Sequence, residues 1–305
     1  MLQAVQRDLK QYIAKQSNRT IPVGYSAADF RPALEDTWRY LQCSINGNNN
    51  DPSRADFVGL NSYSWCGGSA TFQTAGYDVL SNMFRNSTIP VFFSEYGCNK
   101  VQPRVFDEVQ ALYGPDMTDL SGGLVYEYSQ ETSDYGLVNI NQNGTVTLRV
   151  DYVNLQSQLS KVNITLLEST NATAARLTPP ACSSGLIDTS AGNFSTNFDI
   201  PNAPSGAQDL INNGISSPVQ GSLVSVTATA VPVAVYGTNG AQLSGIAITS
   251  VANGQANTPG AVPTATTAGS ASATATKKSS AARNGASALL PSIAVFGAFV
   301  MLAVL

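Results

Sequence analysis

No histidine occurs among the 305 residues. That gap removes Ser-His-Asp and Cys-His nucleophilic catalysis, HExxH zinc sites and imidazole proton shuttles together, and leaves carboxylates and tyrosine phenols to carry any chemistry. Charge is scarce too: Asp, Glu, Lys and Arg make up 12% of the chain against 43% hydrophobic residues, enough apolar mass for a core but little charge to solvate a surface. The net charge of −4 and the pI near 4.8 come without any basic stripe. Nothing here replaces phosphate counterions, so nucleic acid is excluded as a partner. The four cysteines, Cys43, Cys66, Cys98 and Cys182, lack the CxxC spacing of a metal site. Their even number reads as two disulfides, for which the sequence leaves three pairings open. Neither a metal nor a cofactor is expected.

In place of charge the chain carries glycosylation signals. Six N-x-S/T sequons, at Asn18, Asn86, Asn143, Asn163, Asn171 and Asn193, point to the secretory pathway. Residues 255–287 are Ala, Thr, Ser and Gly with Lys277, Lys278 and Arg283 near the end, too poor in large apolar groups to order, and read as a disordered stalk. The uncharged run ALLPSIAVFGAFVMLAVL, residues 288–305, follows. Small residues before an apolar tail match a glycosylphosphatidylinositol (GPI) attachment signal, with Asn284 the first candidate for attachment and Ser280 the second; a membrane span is the competing reading. The opening MLQAVQRDLKQYIAKQS has no secretory leader pattern and reads as an internal amphipathic helix, with Leu2, Val5, Leu9, Tyr12 and Ile13 at helical spacing. The expectation is that the chain is truncated at its N-terminus or that its gene model starts late.

Between these ends short apolar strands alternate with helices. Strands are predicted over 20–27, 56–65, 89–97 and 120–129, and helices around 34–43, 76–86 and 104–114. Nearly continuous apolar strands separated by helices indicate a parallel sheet buried on both faces. Each strand finishes in polar or aromatic residues: Tyr25 and Ser26, Asn61 and Tyr63, Glu95 and Tyr96, Glu127 and Tyr128. In a (β/α)8 barrel such ends form the active-site face, and four strands make half a barrel. A strand end holds a carboxylate in one place and direction, as attack on an anomeric carbon demands, which makes Glu95 the candidate nucleophile. Glu127 is read as structural, anchoring a hydrogen bond or tuning its neighbour.

The segments VGYSA at 23–27, NSYSWCG at 61–67, FFSEYGCN at 92–99 and SGGLVYEYSQE at 121–131 together resemble the fungal GPI-anchored β-1,3-glucanosyltransferases of glycoside hydrolase family 72. The resemblance covers roughly residues 1–182 and implies strands five to eight of a (β/α)8 barrel. It implies an enzyme that cleaves a β-1,3-glucan donor, holds it as a covalent glycosyl-enzyme and passes it to an acceptor glucan. Glu95 matches the nucleophile, Tyr63 a tyrosine beside it, and Tyr126 and Tyr135 aromatic residues lining the sugar subsites. The resemblance also implies Cys66–Cys98 and Cys43–Cys182 disulfides. Its acid/base, a glutamate following an asparagine at the end of strand four, has no counterpart in these residues, so the alternative is an inactive GPI-anchored wall glycoprotein or glucan-binding remnant. The implied organisation is a partial catalytic domain over 1–182, an extension over 183–254, the stalk and the tail, displayed on the extracellular face of the plasma membrane.

Overall fold

The computed structural model describes residues 1–45, 47–169, 177–188, 190, 194–218, 221 and 229–248. The sequons at Asn171 and Asn193, the stalk, the apolar tail and both lipid-attachment candidates, Asn284 and Ser280, lie outside the described residues. Four strands, β1 (Tyr25–Ala28), β2 (Val58–Asn61), β3 (Val91–Tyr96) and β4 (Gly123–Val125), form one parallel sheet in the order β1-β2-β3-β4. Helices α2 (Arg31–Gln42), α3 (Tyr77–Phe84) and α4 (Glu108–Leu112) occupy the three crossovers. Each strand is shorter than the span predicted for it, although backbone bonds such as Asp29 N–H to the Asn61 carbonyl and Ser62 N–H to the Glu95 carbonyl carry the pairing a residue further.

One face of the sheet packs on the helices. Val58, Leu60 and Phe93 are fully buried there with Leu34, Trp38 and Leu41 of α2, Leu80 and Phe84 of α3, and Val109 and Leu112 of α4. Ring contacts lock the layer: Trp38 meets Phe84 edge-on at 5.5 Å between ring centres, and Tyr77 lies tilted against Phe93 at 5.2 Å. Each such side chain contributes roughly 1.5–3 kcal/mol by leaving water. The opposite face is mixed: Phe92, the register partner of Gly59, meets Phe57 at 5.7 Å between ring centres, but toward the strand ends the face turns polar. Gly59 leaves only 2.5 Å between a would-be Cβ and Ser94 Oγ, and into that space Ser26 and Ser94 bring hydroxyls that both donate to Asn61 Oδ1, at 2.9 and 2.7 Å.

A second sheet follows the first. Strands β5 (Val138–Ile140) and β6 (Val146–Leu148) form an antiparallel hairpin around Asn143 and Gly144, the glycine at φ +79°, and β7 (Val235–Tyr236) lies parallel to β6. Helix α5 (Val150–Leu159) runs beside α4, and α6 (Ile164–Ser169) follows it. Helix α7 (Ala207–Asn213) packs on the opening helix α1 (Leu2–Gln16). In α1 the apolar stripe does not simply face the core. Leu2, Val5 and Leu9 stay 40–48% exposed, while Gln3 and Gln6 are buried, Gln3 donating to the Tyr40 carbonyl at 2.9 Å where α2 ends. Cys43, just beyond α2, is bonded to Cys182, and the pair of backbone bonds Ser44 N–H to Pro180 and Cys182 N–H to Ser44 lays the later segment along it. Among the described residues no helix is long and apolar enough to cross a membrane.

Candidate active site

The site is built where the carboxyl ends of β2, β3 and β4 meet. Register shows how Glu95 reaches it. On β2 two steps separate Gly59 from Asn61, but their partners on β3, Phe92 and Glu95, are three steps apart; the same extra residue appears against β4, where Phe93 faces Gly123 and Tyr96 faces Val125. This β-bulge reverses the alternation of β3 within one residue. Phe93 and Tyr96 both enter the helix-side core, at 0% and 1% exposure, and Ser94 and Glu95 are both released from it. Strict alternation would have buried Glu95 among the helices or pulled Tyr96 out of the core.

Glu95 is half-buried, and its Oε2 accepts the phenol proton of Tyr63 at 2.6 Å. The Tyr63 ring stands edge-on to Tyr135 at 5.5 Å and to Tyr126 at 6.4 Å, and those two meet each other at 5.3 Å. The structure thus brings Glu95, Tyr63, Tyr126 and Tyr135 into one cluster from three strand ends. Burial, and then the bond to Glu95, push the Tyr63 phenol well above the ordinary tyrosine range, so it remains a proton donor to that carboxylate. The neighbouring Glu127 carboxylate raises the Tyr126 phenol as well. Glu127 itself accepts the Ser133 hydroxyl at 3.3 Å, and its backbone N–H donates to the Tyr135 carbonyl at 3.1 Å.

The loops beyond these strands are tied together. Cys66 after β2 is bonded to Cys98 after β3, with 5.1 Å between their Cα atoms. The Ser62 N–H donates to the Glu95 carbonyl at 2.9 Å, and the Trp65 indole donates to Asp107 at 3.0 Å ahead of α4. The described sequon residues, Asn18, Asn86, Asn143 and Asn163, are all exposed and away from the cluster's ring contacts. Two features have no counterpart in the sequence reading. The bulge could not be read because Phe-Phe-Ser-Glu-Tyr is apolar and aromatic on both phases. Arg104, whose guanidinium reaches the backbone of the loops after β3 and β4, is one arginine in a loop without any motif of its own.

The family described as glucanosyltransferase, glycoside hydrolase family 72, matches residues 1–163. The chain belongs to that family. Within the glucanosyltransferases it is 53% identical over 261 residues to 1,3-beta-glucanosyltransferase gel2 of Aspergillus fumigatus, covering 85% of this chain and 54% of that protein. To the probable 1,3-beta-glucanosyltransferase GAS3 of Saccharomyces cerevisiae it is 43% identical over 238 residues, 76% of this chain and 45% of the relative. The crystal structure of ScGas2 in complex with compound 6 superposes on 68% of this chain and 44% of its own, at 35% identity and a TM-score of 0.56. The α/β architecture with a parallel sheet is therefore shared with a solved member of the family, and the chain spans about half the length of the relatives it matches.

Proposed function

We propose that this chain carries the nucleophile side of a retaining β-1,3-glucanosyltransferase, with β1 to β4 serving as strands five to eight of a (β/α)8 barrel. The observation that carries the proposal is the Glu95 carboxylate, which sits at a parallel strand end, is held by a phenol at 2.6 Å, and adjoins two further tyrosine rings. A carboxylate oxygen of Glu95 forms a bond to the anomeric carbon as the bond from that carbon to the leaving glucosyl oxygen breaks, and the leaving oxygen takes a proton from an acid. The hydroxyl oxygen of an acceptor glucan then attacks the same carbon, Glu95 is released, and the hydroxyl proton passes to the base. Tyr63 holds the carboxylate in its attacking position. Tyr126 and Tyr135 offer flat faces and phenol donors to glucose rings. A retaining site needs a second carboxylate about 5–5.5 Å from the first. The family resemblance puts it on an Asn-Glu strand end, and the sequence has no Asn-Glu dipeptide, so the part of the chemistry assigned to this chain is the nucleophile and the tyrosine subsites.

The three clustered tyrosine rings favour a second reading equally, a glucan-binding wall glycoprotein without catalysis. One reagent separates the two. A 2-deoxy-2-fluoro-laminaribiosyl fluoride carries a leaving group that departs without acid assistance, so it reports on the nucleophile alone. Peptide mass spectrometry after incubation is expected to place the fluorosugar on Glu95. Binding of laminari-oligosaccharides without any label selects the second reading, and a label on another residue ends the assignment of Glu95. The two disulfides and the exposed sequons support an extracellular location. The tail at 288–305 supports GPI anchoring at the membrane, with glucan donor and acceptor chains as partners.

A further inference from the structure

We infer that Arg104 is a positioning residue of the glucan site, one that sets the spacing between the nucleophile strand and the tyrosine subsites; the inference rests on the function proposed above. The guanidinium is 2% exposed. Its Nε donates to Asp151 Oδ1 at 2.7 Å, its Nη1 donates to the carbonyls of Gly97 at 3.2 Å and Tyr126 at 2.8 Å, and its Nη2 donates to the carbonyl of Tyr135. Gly97 lies two residues beyond Glu95, and Tyr126 and Tyr135 are the two subsite tyrosines. One planar group thus gathers the loops after β3 and β4 at three backbone points, one two residues beyond Glu95 and two on the cluster tyrosines.

The fork itself is held from behind. Its plane lies over the Phe106 ring at 4.7 Å, its own backbone N–H donates to Asp151 at 3.2 Å, and Asn154 of α5 donates to its carbonyl at 2.7 Å. The fit leaves no slack at Gly97, where φ is +111° and an added Cβ would stand 3.2 Å from Nη1. An ion pair between Arg104 and Asp151 needs none of these carbonyl contacts. Buried pairs of this kind are often no better for stability than apolar residues of equal volume, so stability alone does not account for the arrangement. A guanidinium is suited to it because it spreads donors in one rigid plane, whereas a lysine ammonium is a single point that cannot span three carbonyls. The hydrogen bonds to Tyr126 and Tyr135 are to backbone oxygens, and the guanidinium also lies 5.8 Å from the Tyr135 ring centre, so it fixes where the two residues stand while leaving both phenol hydroxyls unbonded to it.

The test separates positioning from stability in the full 305-residue chain. Laminaripentaose is the probe, with isothermal titration calorimetry for affinity, near-ultraviolet circular dichroism for the tyrosine cluster, and far-ultraviolet dichroism to confirm folding. Arg104→Lys is expected to weaken laminaripentaose binding about tenfold or more, the equivalent of one strong charge-assisted bond, and to alter the tyrosine band. Asp151→Asn keeps an oxygen for Nε and leaves the carbonyl contacts in place; it is expected to lower the melting temperature yet bind within about threefold of the parent, less than half a decade of affinity. Should Arg104→Lys fail to fold, the neutral pair Arg104→Gln with Asp151→Asn avoids an unpaired buried charge and carries the same expectation as Arg104→Lys. Equal binding by the parent and the folded Arg104 variant overturns the inference, as does a loss of affinity that tracks melting temperature across all variants. A parent chain that does not bind laminaripentaose overturns the glucan site, and the role of Arg104 with it.

Discussion

Glu108 makes the sharpest quantitative prediction. It opens α4, is 4% exposed, and lies close enough to the buried phenols of Tyr77 and Tyr96 to help raise both. Burial lifts its carboxyl from the ordinary 4.5 to about 7; its own backbone N–H pulls back, Asp107 pushes the same way as burial, and Arg104 opposes it. At a pH between those two values the unfolded chain holds Glu108 ionised and the folded chain holds it protonated. Folded protein therefore binds the extra proton, and stability falls as pH rises from 4.5 to about 7 and then levels off. At 1.36 kcal/mol per pH unit, the separation between the two values corresponds to about 3 kcal/mol. Glu108→Gln keeps the shape and removes the titration. Urea unfolding of parent and variant in parallel is expected to show nearly equal stability near pH 4, below the unfolded value. At pH 8 the variant is expected to be the more stable, by up to about 3 kcal/mol. Comparing the two proteins cancels every other titrating group. A variant that is less stable than the parent by one constant amount at both pH values would refute the reasoning, because it would mean that the carboxylate is ionised and paired in the folded state.

The site and the cross-links give further predictions. Tyr63→Phe removes a hydrogen bond to a carboxylate, worth about 1.5–3 kcal/mol, and is expected to slow fluorosugar labelling of Glu95 by about tenfold or more; an unchanged labelling rate removes Tyr63 from the site. Replacing Cys43 and Cys182 by serine opens a loop with a sequence separation of 139 and is expected to cost about 5 kcal/mol on the chain-entropy account, read as a shift in urea midpoint. Replacing Cys66 and Cys98, separated by 32 residues, costs less stability, about 4 kcal/mol, but is expected to cut the labelling rate, since that bridge joins the loops beside Tyr63 and Glu95. Equal labelling by both double variants would show that the second bridge does not position the site.

Much of the site was legible in the residues themselves. The missing histidines left carboxylates and phenols as the only reagents, and the apolar runs ending in Asn61, Tyr63, Glu95 and Glu127 marked one edge of a parallel sheet, because strand ends and helix spacing are local properties of composition and period. Local pattern also foretold helices at α1 to α4, although spacing alone did not show that Leu2, Val5 and Leu9 stay exposed while Gln3 and Gln6 are buried. Tertiary structure decided the rest. The bulge in β3 depends on what packs on either side of the strand: Phe93 and Tyr96 each fill the helix-side core, and only an extra residue between them lets both do so while Glu95 turns toward Tyr63. Arg104 acquires its meaning in the same way. Its partners lie 7, 22, 31 and 47 residues away along the chain, and no window of sequence brings a guanidinium together with Gly97, Tyr126, Tyr135 and Asp151 until the sheet and α5 have been assembled around it.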